Sequence, residues 1–139
     1  MAGKPFVTRI RLADAEQCPC GTDNTYGNCC APLHRSERQA QSATELMRAR
    51  YSAYAAHEAD YLWRTWHPLR RPPLITFEDD VRWTGLKIEK AEQTAERKAT
   101  VEFYAHFYDE QGDGTFHEVS RFEMRGRRWM YVDGDVEIL

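Results

Sequence analysis

The feature that most constrains this chain is the segment CPCGTDNTYGNCC at residues 18–30, which holds all four of its cysteines. One proline separates Cys18 from Cys20, and Cys29 is adjacent to Cys30, so neither pair is well placed to close a disulfide within itself. Extended backbone sends alternate side chains to one face, so the first pair can present two thiolates together. The two glycines between the pairs permit the turns that bring the second pair to the same point. We therefore predict that this segment folds around one metal ion.

Four thiolates around one point favour Zn²⁺ in tetrahedral coordination, with sulfur about 2.3 Å from the metal. A shell filled by four protein ligands leaves no position for water, so the predicted zinc is structural, with one ion per chain. Two alternatives stay open from the residues alone. His34 could replace one cysteine as a ligand, or the cysteines could hold no metal and be reduced or cross-linked between the two pairs.

Composition narrows the cellular setting. The 139 residues are 42% hydrophobic, which is enough for one packed core, and the net charge of -3 gives no general attraction to nucleic acid or to an anionic bilayer. Charged residues interrupt every apolar run of the N-terminus, so we expect neither a signal peptide nor a membrane span. These patterns predict a cytoplasmic protein, with no membrane partner and no nucleic-acid partner. A reducing compartment favours metal-bound cysteines over disulfides.

Beyond the cysteine segment, a helical period comes first and a strand period follows. Ser42 and Glu45 fit a capping box at a helix start, and the residues after them repeat at three- and four-residue intervals. Asp60 is placed to cap a second short helix that Pro68 ends. Alternating segments follow at 83–91, 100–108, 116–124 and 128–136. This order predicts an α+β fold with an antiparallel meander.

Two motifs carry a resemblance to known families. The pattern C-x-C, eight residues, then C-C, with Gly21 after the second cysteine and Tyr26 three before the third, resembles the SEC-C zinc motif at the tail of the SecA translocation ATPase. In SecA a basic face of the motif docks on the acidic chaperone SecB. The positions of that basic run read Asp23, Asn24 and Thr25 here, so the resemblance does not extend to SecB.

The rest of the chain resembles the YchJ-like family of uncharacterised bacterial proteins. The matching segments are LMRARYSAY at 46–54, DYLWRTWHP at 60–68, HEVSRFE at 117–123 and WMYVDG at 129–134. The resemblance implies an N-terminal extension and zinc knuckle in residues 1–40. It also implies a nuclear transport factor 2-like domain in residues 41–139, in which helices pack into the concave face of a strongly curved antiparallel sheet.

Such a sheet encloses a cone, and the sequence supplies candidates for its wall. We predict a pocket lined by Tyr51, Tyr54, Trp66, Trp83, Phe103, Ser120, Phe122, Trp129 and Tyr131. Aromatic stripes usually pack on one another, so a filled core is the simpler interpretation. A pocket with a function needs polar groups among these rings.

Carboxylates on the aromatic face are the candidates for chemistry. By strand alternation, Glu118 lies on the face of Ser120, and Asp133 lies on the face of Tyr131. A buried carboxylate beside a histidine could act as a general base, and Asp133 with His67 is the first such pair, with Glu118 as the other candidate. A carboxylate buried beside an arginine more often forms a structural pair. The arginines available for this are Arg48, Arg50 and Arg121.

Two function classes remain, and the cysteine motif favours the first over the second. In the first, a structural zinc site supports a protein-recognition or adaptor module, with an unidentified protein partner or a homodimer. In the second, the curved domain binds a small apolar ligand or acts on it by acid/base chemistry, as a hydrolase, isomerase or dehydratase. The sequence leaves open whether the chain is an enzyme. It has no P-loop, GxGxxG, HExxH or GxSxG motif.

Overall fold

The computed structural model describes residues 12–139, so the first part of the predicted N-terminal extension, residues 1–11, lies outside the described residues. The sheet has four antiparallel strands in chain order. They are β1 (Arg82–Ala95), β2 (Lys98–Asp109), β3 (Gly112–Arg125) and β4 (Arg128–Ile138). Three irregularities interrupt the pairing of β1 with β2, and one interrupts the pairing of β3 with β4. Such bulges bend and twist strands, and they help the sheet to curve over the helices. The predicted α+β meander is confirmed.

In residues 12–81, three α-helices precede the sheet: α1 (Ala31–His34), α2 (Ala43–Ala56) and α3 (Ala59–Arg64). The predicted cap of α2 is present, because the Glu45 amide donates to the Ser42 hydroxyl at 3.1 Å. The Glu45 carboxylate accepts from the amide of Gln41 at 2.7 Å, one residue before the position expected for a capping box. The helix ends where His57 adopts a left-handed conformation.

The second predicted helix starts earlier and ends earlier than expected. Glu58 stands at the N-cap of α3, and Asp60 lies in the first turn, where it forms an ion pair with Arg64 at 2.5 Å. The prediction that Asp60 caps this helix is therefore wrong. After α3 the chain pairs with β4, since the amide of Tyr131 donates to the carbonyl of Thr65 at 2.8 Å.

The core lies between α2, α3 and the concave face of the sheet. Inward residues of β2 alternate with outward ones, as predicted, and Val101, Phe103 and Ala105 are all buried. Leu46 and Leu62 meet them from the helices. Burial of this one face holds the register of the meander, because a slip of one residue would turn every inward side chain outward. None of the helices in residues 12–139 is long and apolar enough to cross a bilayer.

Candidate functional site

The four cysteine sulfurs lie within 4.8 Å of one another. The Cys20 and Cys29 sulfurs are 3.5 Å apart, and those of Cys29 and Cys30 are 3.9 Å apart. Sulfur ligands about 2.3 Å from a tetrahedral ion lie about 3.8 Å from one another. All four cysteines are in the described part of the chain and none forms a disulfide. The donor set therefore fits one soft metal ion.

Short backbone hydrogen bonds shape the loop that carries these sulfurs. The Cys18 amide donates to the carbonyl of Asn24 at 3.0 Å, and residues Tyr26–Asn28 form one turn of 3₁₀ helix. Gly21 has a φ of 90°, a conformation that glycine adopts without strain. These turns bring the second cysteine pair back to the first.

The thiols of Cys20, Cys29 and Cys30 differ in pKa. Hydrogen bonds from Cys18 and Cys30 hold the pKa of Cys20 well below its usual value. Burial raises the pKa of Cys29 to about 11, and the hydrogen bonds of Cys30 to Cys18 and Cys20 raise the pKa of Cys30 further. Adjacent thiolates repel one another, so four of them need a cation at their centre, and binding of that cation displaces protons.

The cysteine loop packs against α2 and does not form a separate, projecting module. Arg48 donates from Nη1 to the carbonyl of Cys20 at 2.6 Å, and the Cys18 sulfur lies 3.5 Å from the Ser52 hydroxyl. Three of the four cysteines are buried, and Cys29 is half-buried. The metal centre is thus continuous with the core.

His34 fills a structural position in this packing. Its Nε2 donates to the carbonyl of Ala49 at 2.8 Å, so its Nδ1 accepts the hydroxyl proton of Tyr26 at 2.6 Å. Burial lowers the pKa of His34 to about 4, which keeps the ring neutral. Both ring nitrogens are occupied, so the alternative in which His34 replaces a cysteine ligand is wrong for this structure.

A second feature is a pair of adjoining cavities inside the cone. The inner chamber, between α2 and the sheet, has a volume of about 120 Å³. The outer cavity has a volume of about 390 Å³ and opens toward the loop before β1. The two share the side chains of Tyr54, Trp83 and Phe116. The cone is therefore incompletely filled, contrary to the simpler interpretation of its aromatic stripes.

Glu118 stands at the wall of the inner chamber and is 9% exposed. Its Oε2 accepts hydrogen bonds from the hydroxyls of Ser120 at 2.5 Å and Tyr131 at 2.9 Å. Gly134 makes room for this carboxylate, because a Cβ there would overlap Oε2 and lie 2.8 Å from Cδ. Strand β4 thus leaves space at Gly134 for the buried carboxylate of Glu118.

Arg50 lines the same chamber from α2 and is 3% exposed. Its Nη1 donates to the carbonyl of Leu62 at 2.9 Å and to the hydroxyl of Thr65 at 2.8 Å. The guanidinium also lies over the rings of Trp66 and Tyr131, at 5.0 and 4.5 Å from their centroids. Burial lowers the pKa of Arg50, and these contacts offset part of that cost.

The predicted pair of Asp133 and His67 is not assembled. A bulge shifts the register between Arg121 and Phe122, so Tyr131 faces inward opposite Phe122 while Asp133 lies opposite Arg121 on the outer face. There Asp133 accepts from Arg121 Nε at 2.5 Å, which is one of the arginine–carboxylate pairings expected from the sequence. His67 is buried elsewhere, and its Nδ1 accepts from the amide of Leu69 at 3.2 Å.

The structure separates the predicted pocket residues into two groups. Those that line the inner chamber are Tyr51, Tyr54, Trp83, Phe103, Tyr131 and the candidate acid Glu118. The others do not line either cavity: Trp66 packs on Arg50 and Tyr131, Ser120 supports Glu118, Phe122 is core, and Trp129 lines a separate cleft.

Sequence reasoning also missed some of the residues that line the two cavities. Phe116 shares the inward face of Glu118 by strand alternation, so its position was readable from the sequence. His57, which the sequence analysis did not single out, lines the outer cavity and stacks on Phe77 with ring centroids 4.4 Å apart. No local pattern indicates that contact, because Phe77 lies in the irregular segment before β1.

Arginines also reach the neighbourhood of the cysteine loop, but they are occupied. Arg64 donates to the carbonyls of Leu33 and His34 at 3.1 Å and pairs with Asp60. These hydrogen bonds and this ion pair give Arg64 a structural role.

Comparisons with known proteins agree with this architecture. The model of the SEC-C motif matches residues 15–32, and the model described as the middle NTF2-like domain of YchJ matches residues 42–134. The fold and the cysteine cluster thus define a SEC-C motif protein with an NTF2-like domain. The chain belongs to the YchJ-like family, whose relatives carry the name UPF0225 protein.

Similar sequences and structures extend over most of the chain. A UPF0225 protein of Bordetella pertussis is 43% identical over 122 residues, which cover 86% of this chain and 92% of that protein. One from Deinococcus radiodurans is 43% identical over 117 residues, covering 84% and 86%. A solution structure of a SEC-C motif containing protein from Rhodopseudomonas palustris has a TM-score of 0.76 at 32% identity, covering 86% and 97%. A crystal structure of one from Psychrobacter arcticus has a TM-score of 0.76 at 27% identity, covering 86% and 82%.

Proposed function

We propose that this protein is a zinc-stabilised binding protein for a small, mainly apolar molecule. The single observation that carries the proposal is the pair of adjoining cavities, which share an aromatic wall and contain two buried charged groups. Ligand pockets typically span about 300–1,000 Å³ and combine apolar walls with a few placed polar groups. The cone has both properties.

The metal has a structural role in this proposal. Cys18, Cys20, Cys29 and Cys30 would hold Zn²⁺ in a closed shell of four sulfurs, which leaves no position for a reacting water. The ion would order a loop whose contacts reach α2, the helix that also lines the chamber. Reduced thiols are required, so the proposal places the protein in a reducing compartment such as the cytoplasm.

Binding is favoured over catalysis, and over a role confined to the cysteine loop, for two reasons. The predicted acid/base pair is not assembled, which leaves Glu118 as the one carboxylate among the described residues that line the inner chamber. The cysteine side chains face the core and the Cys20 carbonyl is bonded to α2, so the exposed surface of the loop is limited to residues between the two cysteine pairs, such as Asp23 and Asn24. The predicted protein partner and homodimer stay predictions.

The proposal is tested with N-phenyl-1-naphthylamine, an uncharged probe whose fluorescence rises on entering an apolar site. We expect saturable binding at about one site per chain, because the two cavities adjoin at Tyr54, Trp83 and Phe116 and one molecule is proposed to occupy both. Phe116→Trp enlarges a residue of the shared wall and should weaken binding roughly tenfold.

Tyr108→Trp is the matched control, since Tyr108 is 51% exposed on β2 and lines neither cavity. It should bind the probe as the unaltered protein does. The proposal fails if the probe does not saturate, or if Phe116→Trp and Tyr108→Trp bind equally well.

A further inference from the structure

The inner chamber holds two opposite charges that do not pair with each other. Arg50 and Glu118 both line it, and both are more than nine-tenths buried. Within residues 12–139, no carboxylate forms an ion pair with Arg50. Buried charges are normally paired or hydrogen-bonded directly, so two that share a chamber without contact leave a gap for a group that bridges them.

Each charged group keeps hydrogen-bonding capacity toward the chamber. Among the described residues, both hydrogen bonds of Glu118 end on Oε2, which leaves Oε1 as an acceptor. The two hydrogen bonds that Arg50 donates to Leu62 and Thr65 both leave from Nη1, and a further N–H interacts with the Tyr54 hydroxyl. A guanidinium has five N–H groups, so donors remain for a group in the chamber. The chamber therefore offers an acceptor on one side and donors on the other.

This arrangement discriminates by charge. A carboxylate in the chamber would meet Arg50 favourably but would lie beside the Glu118 carboxylate. An ammonium group would be attracted to the Glu118 carboxylate but would lie beside the Arg50 guanidinium. Repulsion between like charges is strong where water is excluded, and a third charge would leave the chamber unbalanced. An uncharged group that both donates and accepts satisfies both walls at once.

We infer that the inner chamber recognises an uncharged head group that donates and accepts hydrogen bonds, of the carboxamide type, at the end of a flat apolar molecule. This inference rests on the proposed ligand-binding function. The chamber volume of about 120 Å³ suits a head group of a few heavy atoms, since a cavity of about 150 Å³ holds one benzene molecule. The apolar body then lies in the outer cavity, between aromatic side chains such as Trp83 and Phe107.

Four probes share a naphthalene ring and differ only in the head group, so they distinguish the contribution of the head group from that of the apolar ring. They are naphthalene-2-carboxamide, 2-naphthoate, 2-naphthylmethylammonium and 2-methylnaphthalene. Affinities are measured by calorimetry and by protein NMR shifts. We expect the carboxamide to bind roughly tenfold or more tightly than either charged probe. Glu118→Gln removes one charge at nearly constant shape, so it should raise the affinity for 2-naphthoate roughly tenfold and not that for the ammonium probe.

The control is Glu123→Gln, the same change on the same strand at a residue that lines neither cavity. It should leave the ranking of the probes unchanged. The ranking in the unaltered protein tests the inference even if Glu118→Gln does not fold. A charged probe that binds as well as the carboxamide overturns the head-group inference alone, whereas failure of all four probes to bind overturns the proposed function with it.

Discussion

Arg48 of α2 donates a hydrogen bond from Nη1 to the carbonyl oxygen of Cys20, at 2.6 Å. This bond joins the cysteine loop to the helix on which Arg50 and Tyr51, two and three residues further along, line the inner chamber. Helix α2 thus contacts the predicted metal centre through Arg48 and lines the predicted ligand site with Arg50 and Tyr51.

Loss of that bond should loosen the cysteine loop. We expect Arg48→Met to lower the free energy of unfolding by about 1–2 kcal/mol, because a hydrogen bond from a charged donor is lost and the Cys20 carbonyl loses its partner. The same variant should lose metal faster to a chelator. Arg38→Met is the control, since Arg38 pairs with Glu45 at an exposed position where an ion pair contributes less. Equal effects of the two variants would contradict this assignment.

Metal content can be measured directly. Elemental analysis of protein purified under reductant without chelator should find about one zinc per chain. Cys20→Ser and Cys30→Ser should abolish it, because each removes a soft ligand from a four-sulfur shell. Full zinc occupancy in either variant would exclude the four-cysteine site.

Metal removal should also weaken ligand binding. The loop and the chamber share α2, so a loop that loses its ion should allow that helix to shift. We expect naphthalene-2-carboxamide to bind several-fold more weakly after chelation and to recover when Zn²⁺ is restored. Equal affinity in the two states would mean that the sites are independent.

Gly134 is predicted to be required by Glu118. Gly134→Ala places a methyl group where the Glu118 carboxylate lies, so it should cost about 1–3 kcal/mol of unfolding free energy. Shortening the acid in the double variant Gly134→Ala with Glu118→Ala should cost less than the sum of the single changes, because the clash is then absent. Additive costs in thermal or denaturant unfolding would show that the two residues do not compete for space.

His34 makes the protein sensitive to acid. Its pKa is lowered from 6.5 to about 4 by burial, so the unfolded chain binds a proton in this range and the folded chain does not. The stabilising contribution of neutral His34 is complete above pH 6.5 and decreases as the pH falls toward 4. In metal-loaded protein at about pH 5.5, ring ¹⁵N shifts should show a neutral imidazole protonated on Nε2, unlike a free histidine near its ordinary pKa. A charged ring at that pH would contradict the hydrogen bonds described for His34.

Features that depend on neighbouring residues along the chain could be predicted from the sequence alone. The spacing of Cys18, Cys20, Cys29 and Cys30 indicated one metal site, Ser42 marked the start of α2, and strand alternation placed Glu118 and Phe122 inward. Each of these follows from the geometry of a few consecutive residues.

Only the tertiary structure decided what depends on pairing between distant segments. The bulge opposite Arg121 turned Asp133 outward, since a bulge reverses the alternation that a single strand would follow. Whether the cone is filled, and whether Arg50 touches Glu118, depend on how α2 sits across the curved sheet. Those distances arise from packing between elements far apart in the chain, and residue spacing along one element cannot set them.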